Sequence, residues 1–456
     1  MNRNQIPTYF AILLCAILAS LFVIRFDFNL KSIGLLVFPL IFLLTLVKPS
    51  IGLVVIIISM LFSPDIMIAK TESRDIFVRV DDVFLLLVIM AWLIRSAFTK
   101  DLSKTIKTPL FPLFSVYILI CLFSSLVSVT FGKVNIAISL LSTFKYAQYF
   151  MIFLMVKENL KTLSQAKFFV IVFLLVAFVV SLQANLFIQQ QISSGATFFR
   201  VSPPIESRGG SEANTMGGYL LFMLVIAAGL ILYIKNIPVR IMLFILTLIM
   251  FRAFIYTLSR GSYIALIPAI LALVFISRKA KFAYLVLVIF ISSFFFLPEM
   301  VKNRLSQTFI SKETITGKYL DIEDSPKERL DGWKRTLFKD FPSSPIIGHG
   351  VSRRFVDGQV FTVLLETGLV GLFFFLWILA RLFRYLRQAY YALLPTKDNF
   401  CLGLCAGFIA GFIGLIFHSL SSNTFIIIRI VEVFWFLAAI VLSLPSLITD
   451  KIADEA

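Results

Sequence analysis

Histidine, cysteine and acidic residues are scarce in this chain of 456 residues, which holds two His, four Cys and 25 Asp plus Glu. The cysteines, Cys15, Cys121, Cys401 and Cys405, all fall inside apolar runs. They show no CxxC spacing and no His partner, so a metal centre built on them is excluded and small apolar packing residues remain. The GHG and MGG glycines do not complete GxGxxG and no P-loop is present, which argues against nucleotide use. Asp81–Asp82 opens an apolar run, so it reads as helix N-terminal capping and not as a metal-binding acid cluster. The apolar run after Tyr9 continues to Ile24 without a small-residue cleavage site, so it reads as a retained helix and not as a cleaved signal peptide. The apolar runs are continuous and do not alternate, which excludes a β-barrel. Matching broken helices in two halves, as in many transporters, are also missing.

Apolar residues are what the chain has in excess. They make up 59% of it, with mean hydropathy +0.95 and only 15% charged residues, against about 45–50% apolar and about 25% charged in soluble domains. Runs long enough to cross a bilayer core of about 30 Å are expected at 8–24, 33–47, 51–68, 82–98, 109–131, 135–156, 166–188, 216–234, 239–258, 262–277, 282–298, 359–380, 400–420 and 425–447. Short runs such as 33–47 are candidates for re-entrant or merged segments, so the expectation is an all-α polytopic membrane protein of about 12–14 helices.

Charge orients the helices. With the N-terminus in the cytoplasm, the cytoplasmic breaks carry Arg95, Lys100, Lys104, Lys107, Lys157, Lys161, Lys167, Lys235, Arg240, Arg278, Lys279, Lys281, Arg381, Arg384, Arg387, Lys397 and Lys451. The short loops opposite are poorer in Lys and Arg. The net charge of +17 is thereby explained by topology and by attraction to anionic headgroups, without nucleic acid as a partner. Four regions follow: N-terminal transmembrane helices (1–190), helices with external Arg-bearing loops (191–298), one large external loop (299–358) and C-terminal helices (359–456).

Three features then share the external face. One is the loop 189–215, with Arg200 and RGGSEANTMGGYL from Arg208. Another is the Ser259-Arg260-Gly261 break in YTLSRGSYIAL. The last is the loop 299–358, where SPKERLDGWKRTLFKD reads as an amphipathic helix with Ser325 at the N-cap, Pro326 at N1 and Glu328 at N3, ended by FPSSPIIGHG. Arginines gathered on one face suit an anionic ligand, because guanidinium presents a planar fork to phosphate oxygens. The plain alternative for each is snorkelling or pairing with a nearby acid. Arg260 has no acid close in sequence. Within the spans, Lys145 and Arg252 are functional candidates by default. Arg429 and Glu432, at i, i+3, read as a mutual ion pair, and His418 as an interfacial residue ending a span.

These elements, in order, resemble the O-antigen polymerase and ligase family (Wzy and WaaL type): EANTMGGYLL, the SRG turn, an R-x-x-x-W helix (Arg329 to Trp333), the P-x-x-G-x-G turn and a helix opening that ends E-x-G-L-x-G. The resemblance covers roughly residues 200–380; the first 190 match only as hydrophobic spans. It implies a GT-C-like, metal-independent glycosyltransferase of the bacterial inner membrane without a cofactor, its active site facing the periplasm. The donor would be an undecaprenyl-diphosphate-linked oligosaccharide in the lipid bilayer, and a chain-length regulator protein a further partner. Arg208 and Arg260 would grip the diphosphate, with Arg329 closing over it. Asn214, Trp333, Arg353 and His349 complete the implied substrate site.

One departure bears on the reaction. Ligases of the family carry a His nine residues before the Glu of E-x-G-L-x-G; here that Glu is Glu366 and the position holds Asp357. Asp357 is then either the base that takes a proton from a sugar hydroxyl or an N-cap for the helix beginning near Gln359. His349, eight residues earlier, is a second candidate base. The missing His favours polymerase over ligase. The reading of a different class is a transporter or flippase of a lipid-linked anionic solute.

Overall fold

The computed structural model describes residues 30–70, 75–99, 108–205, 212–277, 299–306, 309–314, 317–322 and 324–455. Two expected spans, 8–24 and 282–298, lie outside the described residues, as do Cys15 and Arg208.

The chain is an all-α polytopic membrane protein. Among the described residues nine helices are long and apolar enough to cross a bilayer. The first three helices are α1 (Leu30–Val47), α2 (Pro49–Phe62) and α3 (Val80–Thr99). Of these, α2 is too short to span, since 14 residues at about 1.5 Å rise reach only about 21 Å. The expected span 51–68 is therefore corrected: its helix stops at Phe62, and the chain turns into a hairpin of β1 (Asp65–Lys70) and β2 (Asp75–Arg79). The first six candidate spans are α4 (Phe111–Thr130), α5 (Ile136–Asn159), α6 (Leu163–Ser193), α7 (Ala213–Tyr233), α8 (Ile237–Ile255) and α9 (Arg260–Ser277). The long segment between α9 and the last three spans holds α10 (Glu299–Ser306), a hairpin of β3 (Phe309–Thr314) and β4 (Gly317–Ile322), and α11 (Asp324–Arg335). Three more spans close the chain: α12 (Gln359–Leu393), α13 (Asn399–His418) and α14 (Ile428–Glu455).

Three helices form the centre. α7, α13 and α14 are buried over 83%, 78% and 83% of their apolar stretches, against 22% for the peripheral α8. The side chains of Ile241, Met242, Phe244 and Ile245 on α8 are exposed, as a lipid-facing surface requires. Small residues let α7 and α13 approach closely: a Cβ on Gly229 would lie 2.6 Å from Gly403 O and from Gly407 Cα, and one on Gly407 2.9 Å from Ile226 Cα. Gly407→Leu should therefore push the two central helices apart and cost about 3 kcal/mol. A drop in the detergent unfolding midpoint, absent for Ala97→Leu at an exposed position of α3, checks this.

Consecutive helices run antiparallel, so one end of the bundle collects the C-termini of α4, α6, α8 and α13 and the N-termini of α5, α7, α9, α12 and α14. This alternation places the SRG turn, residues 199–205 and the segment 336–358 at that end. Basic residues at the bundle's other end include Arg95, which donates to Leu46 O at 2.8 Å and Val47 O at 2.7 Å.

Candidate functional site at one end of the bundle

Arg260 is the first residue of α9, not a turn residue between helices. The turn proper lies just before it. Leu258 there takes φ +52° while fully buried, a conformation that costs a non-glycine residue on the order of 1 kcal/mol and persists only where surrounding structure enforces it. Three contacts enforce it. Val201 N donates to Tyr256 O at 2.9 Å, Phe199 stacks on Tyr256 with 5.6 Å between centroids, and Arg200 Nε donates to Thr257 O at 3.3 Å. Ser259 Oγ donates to Asn214 Oδ1 at 2.9 Å and accepts from Ser262 Oγ at 2.8 Å. These bonds join the N-termini of α7 and α9 side by side, so two positive helix-dipole ends adjoin the half-buried Arg260.

The other half of the site comes from α11 and the segment that leads into α12. Arg329 Nε on α11 binds Asp357 Oδ2 at 2.9 Å, with both side chains partly exposed (22% and 30%). Trp333, one turn on, donates Nε1–H to Asp357 O and stacks on Phe361 at 4.8 Å and 11°. Trp333 thus fastens α11 to the start of α12, and one face of its ring is taken. The N-cap of α12 is Gly358 at φ +96°, without a side-chain cap bond, so Asp357 is not the capping residue: its carboxylate faces Arg329 instead. α11 itself begins at Asp324, which corrects Ser325 from N-cap to a first-turn residue.

Both halves meet on the α13–α14 connection. A Cβ at Gly358 would lie 3.0 Å from Leu420 O, and one at Gly261 would collide with Ser421 Oγ. Gln359 N donates to Ser419 O at 2.8 Å, and Asn423 Nδ2 donates to Val356 O at 2.8 Å. The segment Ser419–Asn423 therefore touches the start of α9 beside Arg260 and the start of α12 beside Asp357. His418, the last residue of α13, is fully buried and bonded through Nδ1 to Thr424 Oγ1 at 2.7 Å. The Arg329 guanidinium lies within electrostatic reach of its ring.

The two glycine motifs prove to be halves of one joint. α12 breaks at Gly368 (φ +64°), and the P-x-x-G-x-G turn docks on the break. His349 N donates to Leu365 O at 2.9 Å, Gly350 N to Glu366 O at 3.0 Å and Leu369 N to Pro345 O at 2.9 Å. Ser124 on α4 donates to Glu366 O at 2.6 Å. The Glu366 carboxylate accepts from Ser352 N at 2.8 Å and from Tyr146 OH at 3.1 Å. His349 belongs to this joint: it is 2% exposed, and its Nε2 sits 2.8 Å from Asp340 O and 3.1 Å from Ser343 Oγ. Arg353 is exposed, and its charge acts on His349, while neighbouring Arg354 pairs with Asp340 at 2.8 Å.

Burial pushes the His349 pKa below its ordinary value, with the Arg353 charge adding to the shift. The folded state thus holds the ring neutral. Stability from this joint is complete above the unfolded value near 6.5 and is lost as pH falls from there toward the depressed folded value. The unfolding midpoint of the wild type should fall on acidification from pH 7.5 to 5.5 by more than that of His349→Gln.

The charged residues within the spans pair differently from their sequence spacing. Arg429 does not pair with Glu432: its Nη1 binds Glu212 and its Nη2 binds Ile205 O, so it tethers both flanks of the segment that carries Arg208. Asp81 and Asp82 do more than cap α3, since Asp81 pairs with Arg79 at 3.0 Å and Asp82 with Lys145 at 2.8 Å. Arg252 donates to Asn185 Oδ1 at 3.0 Å on an exposed surface. Cys401 and Cys405 are buried packing residues.

The structure therefore brings Arg329, Trp333 and Asp357 into direct contact and joins Asn214 to the SRG turn. It places His349 and Arg353 in a separate joint. Sequence reasoning missed Ser262 and the Ser419–Asn423 connection as parts of the site; the cue was present in HSLSSNT, a polar run between two apolar helices. Compared with known proteins, the chain matches no protein-family model, and no curated protein matches it in sequence.

Proposed function

We propose that this protein is a metal-independent membrane glycosyltransferase that polymerises O-antigen or another surface-polysaccharide repeat unit on an undecaprenyl diphosphate carrier at the periplasmic face of the inner membrane. The observation that carries the reading is that the α13–α14 connection Ser419–Asn423 contacts both the start of α9, where Arg260 is backed by two helix N-termini, and the start of α12, beside the Arg329–Asp357 pair. It supports a division of labour between an anion-gripping side and a proton-accepting side. Asp357 takes the proton of an acceptor hydroxyl, whose oxygen attacks the anomeric carbon of the donor. The bond from that carbon to the phosphate oxygen breaks, and undecaprenyl diphosphate departs with the bonding pair. Arg260, with Arg208 on the tethered segment, stabilises that charge, as fixed cations do at a developing anion. Arg329 holds Asp357 in place and brings the loop helix over the donor.

Deletion of the gene followed by electrophoresis of the surface polysaccharide tests the reading. A polymerase deletion leaves core plus one repeat unit. Bare core with lipid-linked polymer accumulating would assign the ligase activity instead. An unchanged ladder would remove glycan transfer altogether and leave the transporter reading.

A further inference from the structure

A second cluster of ionisable groups lies inside the bundle, apart from the Arg260 site. Glu432, in the first turns of α14, is 1% exposed, and neither of its carboxylate oxygens has a hydrogen-bond partner among the described residues. An unpaired buried carboxylate is among the costliest groups a membrane protein can hold. Its main electrostatic neighbours are Asp81, Asp82, Arg79 and Lys145. Those four are already committed to one another: Arg79 to Asp81 at 3.0 Å and to Met60 O at 3.2 Å, and Lys145 to Asp82 at 2.8 Å. Asp82 also accepts from Arg79 N at 3.1 Å.

The charges do not balance. Arg79 and Lys145 supply two positive charges, and Asp81, Asp82 and Glu432 supply three negative ones; Arg429, one turn before Glu432 on α14, is paired with Glu212 and adds no net charge, so one negative charge remains without a counterion among the described residues. Tyr149 on α5, which feels the charges of Glu432 and both aspartates, borders the same space, and its hydroxyl is spent on Ile426 O at 3.3 Å. On the other helices packed against α14, the ionisable side chains in the same half of the bundle are Tyr219 on α7, Glu366 on α12 and His418 on α13. α2 carries none. Glu366 is held by its own donors and adds no positive charge.

We propose that this cluster binds one univalent cation, a sodium ion or a proton, at the Glu432 carboxylate. The cation completes the charge balance, satisfies the orphaned oxygens and ties α14 to α5 and to the β2–α3 corner. The site does not depend on the glycan-transfer reading.

The test is thermal unfolding of the full chain in detergent, comparing wild type with Glu432→Gln and Asp82→Asn. Sodium chloride is titrated against choline chloride at constant ionic strength, and the series is repeated between pH 8 and pH 6. A ligand that binds only the folded state raises the midpoint with the logarithm of its concentration. Wild type should gain stability, relative to Glu432→Gln, with sodium if sodium is the ligand, or with acid if the proton is. The variant isolates this response from that of His349, which runs the other way with acid. Glu432→Gln should be at least as stable as wild type in choline at pH 8. Asp82→Asn, which leaves two charges against two, should lose the response as well, and serves if Glu432→Gln does not fold. Equal responses of wild type and both variants to sodium and to pH would overturn the proposal.

Discussion

Arg260→Ala should cut polysaccharide chain extension about 100- to 1,000-fold, the range seen when one fixed stabilising group at a developing anion is removed. The protein should still be present in the membrane at normal level. Arg260 opens α9 with its side chain half-buried, and the turn that sets it is held independently by Ser259, Asn214 and the Phe199–Tyr256 stack. Deleting the guanidinium therefore removes charge and leaves the turn intact. Arg260→Lys keeps a positive charge but loses the planar fork, so it should recover only part of the activity. Band intensities of the polysaccharide ladder in complemented deletion strains, normalised to membrane protein, measure both variants. Full-length polymer from Arg260→Ala at wild-type rate would separate this residue from the reaction.

Gly368→Ala should cost about 3 kcal/mol and leave little folded protein in the membrane. Two effects add. Gly368 sits at φ +64°, where a side chain is strained, and a Cβ there would collide with Ile346 O of the docked turn. The helix break and the turn form one unit, because Gly348 presses just as closely on the other side, a Cβ there lying 2.5 Å from Thr367 N. Gly371→Ala, three residues on, is a poor control, since Thr367 crowds it too; Val370→Ala, at a partly exposed position, is the suitable one. Fluorescence-detected size exclusion of a tagged protein reads the loss. A monodisperse Gly368→Ala peak of wild-type height would show that the break tolerates a straight helix.

The spans were legible because lipid requires continuous apolar sequence, and nine described helices coincide with expected runs. The start of the chain was less so. Ile66, Met67 and Ile68 of DIMIAK continue the apolar run after Phe62, so the first strand of the hairpin read as a helix end, while DIFVR, beyond the charged TESR, fell in the break between expected spans. Side-chain pairing was legible only where partners are local. Arg429 and Glu432 share a helix face, but Glu212, 217 residues away in sequence, takes the guanidinium, and spacing along one helix carries no record of such a partner. The E-x-G and G-x-G glycines were visible as motifs, yet their shared purpose, a broken helix plugged by a turn, needs both backbones in view. His349 illustrates the converse. A histidine between two glycines attracts a chemical reading, and its hydrogen bonds to Asp340 O and Ser343 Oγ place it in that joint. Asp357 lacks the local cue altogether, because its partner Arg329 lies 28 residues upstream on another helix.

The most direct test of the proposed reaction uses the purified full chain in liposomes with a synthetic undecaprenyl-diphosphate-linked repeat unit. Products are resolved by length, and released undecaprenyl diphosphate is quantified by mass spectrometry. The account predicts glycan ladders of two or more repeats, one undecaprenyl diphosphate released per linkage formed without added divalent metal, and loss of both signals in Arg260→Ala and Asp357→Ala. Intact starting material after prolonged incubation with folded wild-type protein, or ladders of equal yield from the Arg260→Ala variant, would contradict it.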